Sequence, residues 1–230
     1  MQEHSLSLPQ KVERSKDRLQ RVASENEASA VRVAWTGGKD STVVLWLWRT
    51  VMGELLAQTD PSVQALRVDT GLEFPEIREF CQQVRTQWNV AETLAQAEPS
   101  RIPAEPGKDP VACCGELKIR PLREAVLSGG VQVLVTGLRQ DEHPGRSGRS
   151  VFETREDPQY LQVNPILEWT EMDVWSFILA ESLPYCSLYE QGYRSLDCQP
   201  CTERSRMTER GGRNRAKESQ IEHLRSLGYF

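Results

Sequence analysis

The sequence predicts an α/β fold in which a mostly parallel sheet carries helices on both faces. Three short apolar runs rich in β-branched residues, at 31–35, 65–68 and 131–135, alternate with helical stretches over the first 140 residues. Strands that alternate with helices build parallel sheets that are covered on both sides. The chain has 230 residues, 38% of them hydrophobic, which is enough to bury one core of this kind.

The first half of the chain predicts two strands and their helices. Residues 1–30 form a polar, charged lead-in that we expect to contain a short helix. The strand at 31–35 precedes a helix that starts near Ser41 and is apolar nearly all round, which predicts deep burial. The strand at 65–68 precedes an amphipathic helix at 75–88, whose apolar residues recur at helical spacing.

The second half predicts long loops around one further strand. Four prolines mark residues 97–112 as a loop, and a helix is expected at 118–127. The third strand, at 131–135, leads into a polar segment at 139–159, whose glycines and arginines predict a mobile loop over a site.

Another helix is predicted at 171–181, since Thr170 is a good N-cap residue. The chain shows no internal repeat and no convincing second domain. We therefore expect one folded domain, with a shorter segment at each of its two ends.

Composition narrows the function. The 28 basic and 33 acidic residues give a net charge of -5, which argues against a general nucleic-acid binder. No apolar run approaches the roughly 20 residues that cross a bilayer, so no membrane segment is expected. The polar N-terminal segment lacks the apolar core of a secretion signal, and we expect a cytoplasmic protein.

The sharpest local signal lies between the first strand and its helix. It is the run Thr36-Gly37-Gly38-Lys39-Asp40-Ser41. The two glycines allow a tight turn that brings backbone N–H groups close to an anion. The helix N-terminus and Lys39 add positive charge, and Thr36 and Ser41 offer hydroxyl donors. A phosphate-binding loop is predicted, with an ordinary diglycine turn before a capped helix as the alternative.

The cysteines supply the second signal. Six cysteines are too few for a disulfide scaffold in a chain of this length. Four of them form two pairs far apart in sequence, Cys113-Cys114 and Cys198-Gln199-Pro200-Cys201. Such pairs in a cytoplasmic chain indicate metal ligands or redox groups. Cys81 and Cys186 are expected to pack as small apolar residues.

The diglycine loop resembles the Ser-Gly-Gly-Lys-Asp-Ser signature of the adenine-nucleotide α-hydrolase, or PP-loop, superfamily, with Thr36 in place of the first serine. The resemblance implies an adenine-nucleotide α-hydrolase-like fold that binds ATP or an adenylyl compound at the carboxyl ends of its strands. Four further segments resemble the phosphoadenylyl- and adenylyl-sulfate reductases, in order along the chain. These segments are 68–75, 136–142, 164–175 and 183–193.

The resemblance to the reductases implies a set of nucleotide- and sulfate-binding residues. Beyond the loop at 36–41, they are Asp69, Thr70, Gly71, Gly137, Arg139 and Arg213. Arg139 can form two parallel hydrogen bonds to a sulfate or phosphate group. Three arginines of the following polar segment, Arg146, Arg149 and Arg155, either close over the ligand or form a solvated basic loop.

The two cysteine pairs resemble the signature of the iron–sulfur branch of these reductases. The resemblance implies a 4Fe–4S cluster, because four thiolates complete the ligand set of one cubane. Its ligands would be Cys113, Cys114, Cys198 and Cys201. Zinc, and buried free thiols or a disulfide, are the alternatives. The expected divisions are a lead-in helix over 1–30, a nucleotide-binding and iron–sulfur domain over 31–202 and a basic tail over 203–230.

The tail departs from the reductases at their catalytic position. The family carries Glu-Cys-Gly-Leu-His there, and its thiolate attacks the sulfur of the bound nucleotide. The corresponding stretch here is Lys217-Glu218-Ser219-Gln220, and a serine hydroxyl is a weak nucleophile that forms no reducible S–S bond. The thiol is left unassigned, with Cys186, Cys81 or a partner protein as candidates. The last residues, 227–230, resemble the end of the small ATP-sulfurylase subunit, another PP-loop protein.

Three functions are consistent with these features. The first is reduction of adenylyl sulfate or phosphoadenylyl sulfate to sulfite in sulfate assimilation, with thioredoxin or another thiol donor as partner. The second is ATP-dependent adenylylation with release of pyrophosphate, as in sulfurylases and some sulfur-inserting enzymes. The third is a non-catalytic iron–sulfur subunit that binds nucleotide. The resemblance favours the first function and allows a homodimer.

Overall fold

A computed structural model describes residues 6–229, and its centre is one six-stranded sheet. The strands are β1 (Val31–Ala34), β2 (Val63–Asp69), β3 (Val90–Gln96), β4 (Val133–Thr136), β5 (Phe152–Glu156) and β6 (Gln159–Val163). Their order across the sheet is β3-β2-β1-β4-β6-β5. Neighbouring strands are parallel except β5 and β6, an antiparallel hairpin at one edge.

Helices cover both faces of this sheet. They are α1 (Leu8–Glu25), α2 (Lys39–Leu56), α3 (Pro75–Gln87), α4 (Pro110–Cys114), α5 (Arg120–Ser128), α6 (Glu171–Ala180), α7 (Arg215–Glu218) and α8 (Ile221–Ser226). A π-helical turn, Gly115–Ile119, joins α4 to α5. Alternate residues of a strand point to opposite faces, so Val33 packs into the large core with α2, while Ala34 packs into a smaller core with α5. The predicted α/β class, with a mostly parallel sheet and helices on both faces, is confirmed.

Helix α2 is buried as its apolar sequence predicts, but it begins at Lys39, before the expected start near Ser41. Gly38 adopts an extended conformation and serves as the N-cap, and its carbonyl accepts the first helical bond, from Thr42 N, at 3.0 Å. The phosphate-loop motif therefore already contains the first turn of the helix.

The lead-in segment contains a helix of 18 residues, longer than the short helix predicted. Leu19 and Val22 are buried on its inner side. Ser15 Oγ donates to the Pro165 carbonyl at 2.9 Å and accepts from Trp169 Nε1 at 3.1 Å. Helix α1 is thereby packed against the loop that precedes α6.

Two edge elements were not predicted. Strand β3 pairs with β2 along its whole length, and four of its seven side chains are exposed. The loop predicted at 139–159 is wrong from Phe152 onward, where β5 and β6 form their hairpin. Edge strands bury fewer side chains than central ones, so their apolar pattern is weak.

Residues 203–229, predicted as a basic tail, fold back onto the body. Thr202 and Arg213 form a β-bridge, and the short helices α7 and α8 follow. Asn214 fixes this return, because its N donates to the Cys201 carbonyl at 3.1 Å and its Nδ2 to the Gly107 carbonyl at 3.2 Å. Within residues 6–229, no helix is both long enough and apolar enough for a membrane span.

Candidate functional site

A cavity of about 190 Å³ opens at the carboxyl ends of β1, β2 and β4. Open parallel sheets bind ligands at this edge, where strand ends and helix starts leave a crevice. The predicted site residues that line it are Thr36, Gly38, Asp40, Ser41, Thr70, Gly137, Cys198 and Arg213. Of the described residues, five others predicted for nucleotide binding stand outside this lining: Gly37, Lys39, Asp69, Gly71 and Arg139.

The diglycine loop is held tightly between β1 and α2. Gly37 has a φ of 72°, and a Cβ there would lie 2.8 Å from Cys81 Sγ, so the position requires glycine. Ser41 Oγ donates to the Gly38 carbonyl at 3.0 Å and lies 3.2 Å from Thr36 Oγ1. The two hydroxyls predicted to contact phosphate thus lie side by side in the cavity wall.

A tyrosine meets the start of α2. The backbone N of Lys39 donates to the hydroxyl of Tyr189 at 2.8 Å, and Tyr189 also lines the cavity. Burial raises the pKa of Tyr189 to about 12, so the phenol keeps its proton at neutral pH. Because its oxygen accepts from Lys39, its own proton can be donated to a ligand in the cavity.

Lys39 and Arg139 do not point their charges into the cavity. Lys39 Nζ contacts Glu209 and lies 3.4 Å from Asp40 Oδ2. Arg139 Nε lies 2.6 Å from Asp40 Oδ1, and its Nη2 lies 2.5 Å from Glu209 Oε1. Burial raises the pKa of Asp40, but Lys39 and Arg139 outweigh it and hold that pKa below its usual value. The two predicted phosphate ligands form a buried ion-pair network behind the loop.

Carboxylate oxygens of Asp40, Glu142 and Glu209 lie within 4.8 Å of one another at the edge of this network. Lys39 and Arg139 contact the first and third, while Arg146 and Arg210 contact Glu142. Each carboxylate in the group has a cationic partner, and the cluster is explained by these ion pairs.

Three arginines do reach the cavity wall: Arg146, Arg210 and Arg213. Arg213 donates to Ser195 Oγ from Nε at 3.0 Å and from Nη2 at 2.8 Å. Burial, together with the nearby Arg210, lowers the pKa of Arg146 to about 9. The other two arginines expected over the ligand turn elsewhere, because Arg149 binds Glu153 and Arg155 donates to the Tyr229 carbonyl.

Part of the cavity lining is apolar. It is formed by Leu66 and Val68 of β2, by Ile119 and Leu122 at the start of α5 and by Leu138 after β4. A cavity with one apolar wall and one wall of hydroxyls and arginines suits a ligand with a flat apolar end and an anionic end.

The four paired cysteines come together in a second, smaller cavity. Cys113, Cys114, Cys198 and Cys201 line it. All four are free thiols, with Cys114 and Cys201 buried and the other two half-buried. Gly107 has a φ of 80°, and a Cβ there would lie 2.9 Å from Cys201 Sγ, so the loop needs glycine to pass the sulfur.

Three residues line both cavities: Lys118, Asp197 and Cys198. Thr70 Oγ1 lies 3.2 Å from Cys198 Sγ, which adds a hydroxyl at the same boundary. Burial raises the pKa of Asp197, but Lys118 and Lys217 outweigh it and hold that pKa well below the usual range. The two cavities are therefore neighbours that share a charged wall.

Comparison with known proteins identifies the family. Residues 30–204 match the model of the phosphoadenosine phosphosulfate reductase domain. The chain belongs to this family. A relative from Staphylococcus epidermidis, named adenosine 5'-phosphosulfate reductase, is 36% identical over 160 residues, which cover 66% of this chain and 65% of that protein. A relative of the same name from Pseudomonas aeruginosa is 29% identical over 206 residues, which cover 83% of this chain and 73% of that protein.

Solved structures agree on the fold. Phosphoadenylyl-sulfate reductase from Candida auris superposes with a TM-score of 0.66 at 19% identity and covers 85% of this chain and 97% of its own. Yeast FAD synthetase superposes with a TM-score of 0.68 at 18% identity, and the match covers 89% of this chain and 70% of the synthetase. The reductase-domain chain thus has an adenine-nucleotide α-hydrolase-like fold. It spans 65% of the Staphylococcus relative with which it aligns.

The candidate nucleophiles of this chain do not line the nucleotide cavity. Ser219 is exposed after α7, and its Oγ donates to the Ala216 carbonyl at 3.0 Å. Cys81 and Cys186 are buried in the large core. Burial raises the pKa of both thiols, that of Cys81 to about 12.

Some residues of the reductase-domain site were missed. Asp197, Ser195 and Tyr229 line the nucleotide cavity, and none was singled out from the sequence. Asp197 directly precedes Cys198, and Tyr229 lies in the Gly-Tyr-Phe end, so both stand beside recognised motifs. Ser195 carries no such signal, because its role depends on contact with Arg213 from the folded-back segment.

Proposed function

We propose that this chain reduces adenylyl sulfate or phosphoadenylyl sulfate to sulfite, with thiols as the reductant. The observation that carries the proposal is the shared wall: Lys118, Asp197 and Cys198 line both the cavity at the strand ends and the cysteine cavity. A sulfonucleotide has the apolar and anionic ends that the first cavity suits. The relatives of this chain that are named adenosine 5'-phosphosulfate reductase support the same assignment.

In this proposal the nucleotide lies across the strand ends. The adenine packs against the apolar wall of Leu66, Val68 and Leu122. The phosphosulfate end meets the hydroxyls of Thr36 and Ser41 and the guanidinium groups of the cavity wall. Lys39 and Arg139 act from behind, because their ion pairs with Asp40 hold the start of α2 in place.

We propose that the cysteine cavity holds a 4Fe–4S cluster. Its four ligands would be Cys113, Cys114, Cys198 and Cys201. The fit rests on the donor set, since four free thiols in one cavity are the soft ligands that such clusters take. Gly107 supports it, because the chain passes Cys201 Sγ where any Cβ would collide. When bound, the cluster would supply a compact anionic redox group beside the sulfate end of the nucleotide.

The attacking thiol is proposed to come from a separate donor such as thioredoxin. Cys81 and Cys186 are buried, and their raised pKa values keep them protonated at neutral pH. Ser219 points its hydroxyl to the Ala216 carbonyl on the surface. None of the six cysteines forms a disulfide in the described part of the chain.

The reaction then needs two thiols. A donor thiolate attacks the sulfur of the sulfate group, the S–O bond to the nucleotide breaks, and AMP, or adenosine bisphosphate, leaves with the electron pair. A second thiolate attacks the donor's own sulfur, a disulfide forms, and sulfite leaves. Two thiols are oxidised to one disulfide, and the sulfate group is reduced to sulfite. The arginine wall would orient the sulfate group and stabilise the leaving phosphate.

The test uses anaerobically purified protein with radiolabelled adenylyl sulfate, thioredoxin and a reductant. We expect release of labelled sulfite, and a parallel assay with phosphoadenylyl sulfate measures the effect of a 3′-phosphate. Cys198→Ser should abolish release, whereas Cys186→Ser, a buried thiol of the large core, should leave it near the wild-type rate. Nucleotide binding without sulfite release, or pyrophosphate release from ATP instead, would contradict the proposal.

A further inference from the structure

The folded-back C-terminal segment brings a lysine into the cysteine cavity. Lys217, on α7, lines that cavity, and its side chain is only 1% exposed. A buried lysine needs a partner for its charge. Lys217 Nζ lies 2.5 Å from Asp197 Oδ2, a carboxylate that is itself 3% exposed.

Asp197 does not balance the charge around it. Lys118 and Lys217 both contact this carboxylate, and Arg213 Nη1 lies 2.7 Å from its Oδ2. Three cations around one carboxylate leave an excess of two positive charges. An uncompensated buried charge is costly, so a negative group should stand nearby. The four thiols of the same cavity are that group once they are ionised around a metal cluster.

The charges match in size as well as in sign. A 4Fe–4S cubane in its ordinary oxidised state, with four thiolates, carries roughly two net negative charges. The contacts of Asp197 leave an excess of two positive charges, with Lys118 and Lys217 in the lining of the cysteine cavity and Arg213 in the lining of the neighbouring nucleotide cavity. A zinc ion with four thiolates has the same net charge, so the net charge does not identify the metal. The absorbance spectrum in the test below does.

Tyr229 holds the lysine in place. Lys217 Nζ donates to the Tyr229 hydroxyl at 3.0 Å and lies 4.7 Å from the centre of its ring. The centre of the same ring lies 5.7 Å from Lys118 Nζ, and Lys118 also contacts Asp197. The aromatic ring thus receives both ammonium groups by cation–π contact.

We propose that Lys217 is a positioning residue of the metal site, whose ammonium balances the negative charge of the bound cluster and is fixed there by Tyr229. The inference rests on the proposed function, since it requires the cluster. It assigns a role to the folded-back segment, which becomes part of the wall around the cluster. Groups around metal ligands tune affinity and potential in this way.

The test compares full-length, anaerobically reconstituted variants. Lys217→Met removes the charge and keeps the length, Lys217→Arg keeps the charge, and Lys108→Met serves as the matched control. Lys108 follows the cavity residue Gly107, but its own side chain is 73% exposed and pairs with Glu105. The measurements are the absorbance and iron and sulfide content of each protein, the rate of iron loss to a chelator, and the equilibrium of one-electron reduction.

Lys217→Met should lower the equilibrium constant for reduction about tenfold, which is about 59 mV for a one-electron couple, because the reduced cluster is more negative. It should also speed iron loss about tenfold. Lys217→Arg should recover most of both effects, and Lys108→Met should match the wild type. Tyr229→Phe, which keeps the ring and loses the hydroxyl, should shift both in the same direction by a smaller factor.

Two results overturn different statements. If the wild type loads a cluster and Lys217→Met stays within twofold of it in both measurements, the role of Lys217 is refuted and the cluster stands. If the wild type takes up no iron and sulfide, or takes up zinc alone, the cluster itself is refuted and the inference falls with it. A Lys217→Met protein that folds by circular dichroism but loads no cluster, while Lys217→Arg loads one, supports the inference.

Discussion

Gly137 directly follows strand β4 and lies against the phosphate loop, and we predict that Gly137→Ala disturbs both stability and binding. A Cβ at Gly137 would lie 2.7 Å from the carbonyl carbon of Asp40 and 2.7 Å from Ser41 N. Both atoms belong to the backbone in the first turn of α2, so no side-chain rotation relieves the contact. Either β4 or the start of α2 must move.

The cost follows from that geometry. Overpacking a close-packed region costs about 1–3 kcal/mol, and rigid backbone neighbours place Gly137→Ala near the top of the range, at about 3 kcal/mol. In a chain of this size about 1 kcal/mol corresponds to about 2–4 °C in Tm, so Tm should fall by about 6–12 °C. Since Gly137 and Ser41 line the cavity, nucleotide affinity should fall too.

The assay is thermal unfolding with nucleotide titration, and Gly148→Ala is the matched control. A Cβ at Gly148 meets no atom within 4 Å, so the same substitution should change stability by only about 0.5 kcal/mol, in either direction. A Gly137→Ala protein as stable as Gly148→Ala, with unchanged nucleotide affinity, would refute the reasoning. It would show that β4 and α2 are not in rigid contact.

Three further predictions concern the two cavities and the core. Gly107→Ala should at least halve the iron bound per chain while the fold is kept, because its Cβ would lie 2.9 Å from Cys201 Sγ; full iron occupancy would contradict this contact. Arg213→Lys should raise KM for the sulfonucleotide about tenfold with iron content unchanged, since lysine cannot reproduce the forked donor that binds Ser195 in the cavity wall; an unchanged KM would show that this contact does not shape the anion site. Burial raises the pKa of Cys81 to about 12, whereas the pKa of a cysteine in the unfolded chain is about 8.5. The contribution of Cys81 to stability is therefore intact below about pH 8.5 and is lost at up to about 1.4 kcal/mol per pH unit as pH rises toward 12. Cys81→Ala should flatten the pH dependence of the free energy of unfolding in urea over that window. An identical slope in the variant would show that another group titrates.

The central strands and the phosphate loop could be predicted because their signals are local. Each of β1, β2 and β4 is a buried apolar run that ends at a turn, and α2 follows directly from the diglycine sequence. The outer strands β3 and β5 carry no such signal. They lie at the sheet edges, where one side of the strand has no neighbour and polar residues are tolerated.

The roles of single charges in the site could not be predicted in the same way. Lys39 and Arg139 lie at the expected turns, but Glu209, far away in sequence, takes up both of them. A local motif states which charges stand near a strand end. It does not state which distant carboxylate the folded chain brings to them, and that contact decides whether a cation faces a ligand.

The charge balance of the nucleotide cavity has a consequence for how an anion is bound. Among the described residues, four cations and four carboxylates line it: Lys118, Arg146, Arg210 and Arg213, and Asp40, Glu73, Glu142 and Asp197. These lining charges cancel one another, so binding of a dianion depends on the exchange of ion pairs and not on an excess of positive charge in the lining. Glu142 contacts both Arg146 and Arg210, so a sulfonucleotide must take these guanidinium groups over from a carboxylate. Recognition then depends on how well the sulfate oxygens replace those of Glu142 in shape, because the exchange leaves the number of ion pairs nearly constant.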